Sequence, residues 1–192
     1  MKRLFSFVLL VLCVLLINAP FAGTAEAARV AVVPLQVDDK VVERAADFTG
    51  YYWDIMIQKF QYPEYELMDD EKVENVLPEE GLKDFSQAAL ADICTKTDAE
   101  IVVAMRLDNM DQRIMNFRRE QTFATFMKGE FASYNRLTGK YFHKNIYEKG
   151  EIEEVLTLRT DWQQNAFASE LKRCINRTLE DKSKSNKKQN KF

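Results

Sequence analysis

The chain has 192 residues, a single histidine and a net charge of −3, with 27 Lys and Arg against 30 Asp and Glu. That mildly acidic balance excludes the broad electrostatic footprint of a nucleic-acid-binding domain, and two lone cysteines beyond residue 13 with one histidine exclude a zinc site of the usual Cys/His kind. The length suits one domain with a core of its own.

The first 27 residues read as a secretory signal peptide. Lys2 and Arg3 supply the positive start, Leu4 to Ile17 the apolar run, and Ala25-Glu26-Ala27 a small-x-small cleavage site. The run is shorter than the roughly 20 residues a membrane span needs, so no transmembrane segment is expected after cleavage. Cys13 leaves with the signal, and Val14 to Ile17 follow it, which is no lipidation context. Cleavage takes the net charge from −3 to −4 by removing Lys2, Arg3 and Glu26. The product is expected in the periplasm or secreted.

Arg29-Val-Ala-Val-Val-Pro-Leu35 is a short, nearly continuous apolar run that predicts a buried strand closed by Pro34. Over residues 41–60 the period changes. Ala45, Phe48, Tyr52, Ile55 or Met56, and Phe60 recur at three- and four-residue steps, the face of a helix that Tyr62-Pro63 ends. Tyr51, Tyr52 and Trp53 cannot all be buried there, since helical neighbours lie about 100° apart. Tyr52 fits the core stripe, and Trp53 becomes a candidate partner anchor. Tyr65 to Met68 is a second strand, followed by a helix with Val73, Val76 and Leu77 that Asp69 or Asp70 caps and Pro78 with Gly81 stops. Asp69, Asp70 and Glu71 are explained by capping and the helix dipole rather than by acid–base chemistry.

Ser86 opens a helix through Lys96, and Ala99 to Leu107 is a third apolar strand. Asp108, Asn109 and Asp111 follow it, oxygen-rich but without the full spaced calcium loop. Arg113, Phe117, Arg118, Arg119 and Phe123 alternate charge with aromatics, which in an acidic exported domain reads as a guarded edge strand. Phe117, Arg118 and Arg119 are therefore candidate partner contacts, able to add or accept a strand. Beyond residue 120 a period of two marks a strand through Phe131, a turn at residues 135–140 with Gly139 free to take positive φ, and a returning strand over Tyr141 to Tyr147. His143 shares the solvent-leaning face with Tyr141, Asn145 and Tyr147, with no catalytic or metal role expected. Trp162 to Leu179 closes the domain as a helix capped by Thr160 or Asp161.

Cys94 and Cys174 fall on apolar helix faces and are read either as buried thiols or as a disulfide pair in an oxidising compartment. Lys182, Lys184, Lys187, Lys188 and Lys191 lie in a tail over 181–192 that is expected to be disordered and solubilising. No Gly-x-Ser-x-Gly elbow and no Gly-rich phosphate loop occurs, so neither a serine nucleophile nor a nucleotide cofactor is expected.

The order strand, helix, strand, helix pair, strand, hairpin, helix predicts a mixed α/β sheet with a hairpin, covered by helices, in a single domain over 28–180. Arg29 to Leu35, Tyr65 to Leu77, Thr97 to Ala104 and the Arg136-Leu-Thr-Gly-Lys140 turn resemble the strands, short helix and hairpin of small exported domains related to the TolB N-terminal domain and to CsgG. The resemblance covers roughly 29–180 and implies an α/β fold used in envelope assembly, secretion or protein contact, with no shared active site. Unlike CsgG-type proteins, the chain has no cysteine just after the signal, and unlike TolB it has no segment for a propeller. The expected function is that of a noncatalytic envelope module acting through a protein partner. The alternative is a small exported ligand-binding protein or enzyme with a site at the strand C-terminal ends.

Overall fold

A computed structural model describes residues 26–39, 41, 45–117, 120–152 and 161–179. The order is β1 (Ala28–Val32), β2 (Gln36–Val37), α1 (Ala45–Lys59), β3 (Tyr65–Leu67), α2 (Asp70–Glu74), α3 (Gln87–Thr97), β4 (Ile101–Phe117), β5 (Glu120–Asn135), β6 (Lys140–Ile152) and α4 (Asp161–Leu179). The signal segment up to Ala25 and the tail 181–192 lie outside the described residues, as do Arg118, Arg119 and Thr160.

The six strands form one mixed sheet in the order β3-β1-β4-β5-β6, with β2 also paired to β4. Strands β3, β1 and β2 run parallel to their neighbours, while β4, β5 and β6 form an antiparallel meander. The chain leaves β1 for β3 on one side, then crosses back past β1 to reach β4. Right-handed crossovers in opposite directions place their helices on opposite faces of the sheet.

The side chains follow that geometry. Val30, Val32, Ile101, Val103, Met105, Leu107 and Phe131 face a core closed by α1 and α4. Ala31, Val33, Val102, Ala104 and Ala132 face a second core closed by α2 and α3. A strand buried on both faces needs a continuous apolar run, which is why Val30 to Val33 shows no alternation. Each large side chain so buried contributes about 1.5–3 kcal/mol.

On α1, Phe48, Tyr52, Ile55 and Met56 are buried, and Phe48 meets Phe167 of α4 edge to face at 5.3 Å. The Tyr52 hydroxyl donates to the Val33 carbonyl at 2.9 Å, which satisfies its polar end inside the core. Asp69 caps α2 by accepting from the Glu71 N–H at 3.0 Å, and the Ser86 hydroxyl caps α3 by accepting from the Ala89 N–H at 3.3 Å. Asp98 ends α3 in the left-handed region at φ 61°.

Strand β4 runs ten residues past its expected end at Leu107, as far as Phe117. Up to Leu107 it lies between β1 or β2 and β5, and its sequence is apolar. Beyond that point it pairs only with β5, and the continuous apolar run is no longer needed. The change is marked by a bulge between Leu107 and Asn109 that leaves Asp108 unpaired in the ladder. Gly129 faces it. A Cβ there would stand 2.4 Å from the Arg106 carbonyl oxygen, so the strands close up only on a glycine. At the β5–β6 turn Gly139 takes φ 63°.

Candidate functional site

Strands β1 and β3 are parallel neighbours whose following connections depart to opposite faces, which makes the crevice beyond their C-terminal ends a topological switch point. One wall is the chain from Val33 to Gln36, and the other runs from Glu74 to Gly81, enclosing a hollow of about 470 Å³. The backbone is fixed on both sides: the Val33 N–H donates to the Val103 carbonyl and the Met68 N–H to the Val30 carbonyl, each at 2.9 Å. Into this space the Gln36 side chain brings a buried amide nitrogen, Nε2, that has no hydrogen-bond partner. Gly81 lies over it with φ +78°, and a Cβ there would come within 2.6 Å of that nitrogen. A glycine is required for the backbone angle and for the close approach alike.

A second hollow of about 540 Å³ adjoins Gln36, lined also by Asp38, Lys83, Arg106 and Asp108. Arg106 organises its floor. Its Nε donates to Asp108 at 2.7 Å, its Nη2 donates to Glu130 at 2.8 Å, and the guanidinium stands 5.3 Å above the Phe85 ring. The bulge therefore turns the Asp108 carboxylate onto a cation. Glu130 is also 2.7 Å from Nε2 of His143, whose ring stacks on Tyr141 at 6.3 Å. The Tyr141 hydroxyl donates to the Phe85 carbonyl at 2.6 Å. Burial, with the Glu130 and Asp84 charges behind it, pushes that phenol above its ordinary value. These contacts tie β4, β5 and β6 to the loop before α3; no nucleophile stands against a base in them.

Two further polar clusters hold the ends of the sheet. Arg29 donates to Glu100 through Nη2 at 2.9 Å and through its backbone N–H at 2.7 Å, and to Asp98 through Nη1 at 2.7 Å. Arg136 adds a contact to Glu100 at 3.2 Å. Burial pushes the Glu100 carboxyl up, but the Arg29 guanidinium and N–H outweigh it and hold it below the usual carboxylate range. On the other face the nearly buried Glu170 of α4 takes Lys144 and Arg173 as partners, with Glu148 beside them. Desolvation and then the Glu170 charge raise the Glu148 carboxyl.

The sequence-derived candidates fall in different places. Trp53 is half-buried, its ring 6.0 Å from Tyr52 and packed on the α1–α4 core, whereas Tyr51 is the more exposed neighbour and reaches Gln164 of α4 at 3.2 Å. Phe117 is the last residue of β4, far from α1 in the chain; Arg118 and Arg119 lie outside the described residues. The disulfide considered between Cys94 and Cys174 is not made. Both thiols are free and buried, Cys94 in the α2–α3 core and Cys174 in the α1–α4 core, so the sheet itself separates them. Burial raises both thiols to about 11.

Gln36, Arg106 and Glu130 were not singled out in the sequence, and Gly81 stands there only as a helix stop. One signal was present in Arg106, a charge inside the otherwise apolar run from Ile101 to Leu107. His143, Asn145 and Tyr147 are exposed on one face of β6, as their alternation predicted. Among the described residues strand β6 is a long edge of the sheet: its 13 residues pair with β5, and Tyr147 is 65% exposed. No helix among the described residues is long and apolar enough to cross a membrane.

No protein-family model matches the chain, and no curated protein does. Solved structures are similar at low identity and with TM-scores below 0.5. Lipoprotein GNA1162 from Neisseria meningitidis is similar at a TM-score of 0.46 and 9% identity, over 78% of this chain and 99% of that one. The hypothetical protein CT253 from Chlamydia trachomatis gives 0.42 and 11%, over 80% and 94%. The LpoB C-terminal domain from Salmonella enterica gives 0.34 and 12%, over 69% and 87%. None of the three names either family that the sequence resembles.

Proposed function

We propose that this protein is an exported, noncatalytic module of the cell envelope that works by holding a protein partner, and that it belongs with the TolB- and CsgG-like domains it resembles. The observation that carries the reading is the uncovered edge of the sheet. Among the described residues strand β6 has 13 residues of backbone with a partner strand on one side only, next to exposed Tyr147. Such an edge is what strand addition needs, and main-chain hydrogen bonds then supply the affinity. The signal-like pattern of the first 27 residues supports work outside the cytoplasm. The module is expected to sit in the periplasm or outside the cell.

The test is crosslinking in the native cells, followed by purification from the envelope fraction. One recurrent partner, reduced when Arg118 and Arg119 or Trp53 are replaced by Ala in a protein that still folds, supports the reading. A clean monomer overturns it. A new N-terminus at Ala28 checks the export step.

A second reading, a small ligand held at the strand ends, draws on one observation: the unpartnered Gln36 amide nitrogen in the switch-point crevice. Gln36→Ala would weaken such a ligand and leave the β6 contacts untouched.

A further inference from the structure

A concavity opens on the α2–α3 side of the sheet. It is a trough of about 750 Å³ between α3 and the segment from Val76 to Asp84. Its floor is apolar: Leu82 and Ile93 belong to the core below, and Val76, Leu77 and Ala89 pack on that core while remaining half-exposed. Along α3 the lining residues are Ala89, Asp92, Ile93 and Lys96, at the three- and four-residue spacing of a single helix face. Two turns of helix therefore form one wall, about 10 Å long at 1.5 Å per residue.

The rim is acidic. Glu79, Glu80, Asp84 and Asp92 stand against two lysines. Both lysines are already used within the trough, Lys83 on Glu80 and Lys96 on Asp92 at 2.7 Å. Asp84 accepts from the Ser86 N–H and hydroxyl, each at 2.8 Å, and Glu79 is exposed and enters none of these pairs. A groove with an apolar floor and surplus carboxylates on its walls selects an elongated ligand that is apolar on one side and cationic at its margins.

We propose that this trough receives a cationic amphipathic segment of a protein partner, its apolar side chains over Ala89 and Ile93 and its lysines or arginines against Glu79 and Asp84, the two rim carboxylates that hold no lysine. The proposal rests on the contact-module reading and gives it a second, chemically distinct surface.

The experiment titrates the purified exported protein, methyl-labelled at Ala, Ile and Leu, with three synthetic peptides about 14 residues long, or roughly four helical turns. One carries Leu at helical three- and four-residue spacing with Lys elsewhere, one replaces Lys by Glu, and one scrambles the Leu/Lys order. Expected are shifts of the Ala89, Ile93 and Leu82 methyl signals with the first peptide alone. Affinity should fall about tenfold in the exposed-site double variant Glu79→Lys, Asp84→Lys, and decline with rising salt. The neutral double variant Glu79→Gln, Asp84→Asn, whose Asn can still accept from Ser86, should lose an intermediate amount, which keeps the test open if the reversal disturbs folding. Shifts confined to β6, equal binding of the Glu peptide, or no binding of the amphipathic Lys peptide each overturn the proposal. Peptide binding in the trough without any crosslinked partner in cells would instead overturn the contact-module reading and leave the groove chemistry standing.

Discussion

Cys94 and Cys174 show how far a single side chain's environment decides its chemistry. Each thiol is buried in apolar surroundings and raised to about 11, so neither is an available nucleophile near neutral pH. A thiol reagent at pH 8 should leave the native protein unmodified and label both cysteines in urea. The same shift has a sign in stability. Below the unfolded thiol value near 8.5 it changes nothing, and stability should fall as pH rises from there toward about 11, where the unfolded state releases its protons first. Glu100 works in the opposite limb. Arg29 and its N–H hold that carboxyl below its unfolded value, so the stability it gives is present above about pH 4–5 and lost as pH falls. Glu100→Gln should cost about 1 kcal/mol at neutral pH and flatten the acid limb of a urea-denaturation series. An unchanged acid limb would show that the pair is idle.

At the scale of elements, the bulge in β4 is where the fold is most demanding. Gly129 meets the Arg106 carbonyl so closely that Gly129→Ala must push β4 and β5 apart, an expected loss of about 1–3 kcal/mol readable as a lower melting temperature. The same stretch shows what the sequence could reveal. The helix faces were legible because Phe48, Tyr52, Ile55 and Met56 obey a local period, and the β5–β6 turn because Gly139 marks it. The full length of β4 was not. Beyond Leu107 its pairing among the described residues is one-sided and its apolar run stops, so the edge strand read from Arg113 to Phe123 did not show that Arg113 to Phe117 continue β4 while Phe123 belongs to β5. Strand β2 is two residues long and exists only through its pairing with β4, which no local pattern can announce. The crevice was legible as a location and not as a set of residues. Gln36 and Gly81 meet only because the crossover brings the chain back beside β1.

Taken over its described residues, the molecule is a sheet with a helix-covered core on each face and an edge at β6. The filled cores explain why the chain tolerates few buried polar groups, and they leave the surfaces to do the recognition. Those surfaces are chemically different: a backbone edge with Tyr147 at β6, and an acid-walled trough beside α3. On the proposed reading, a partner would add a strand at one place and make side-chain contacts at the other. The most direct test replaces Tyr147 by a photoreactive residue in the native cells, with Tyr62, 82% exposed and just before β3 at the opposite edge, as the control. The account predicts one recurrent protein adduct from position 147 and none from position 62. No adduct from either position, or the same mixture from both, would contradict it.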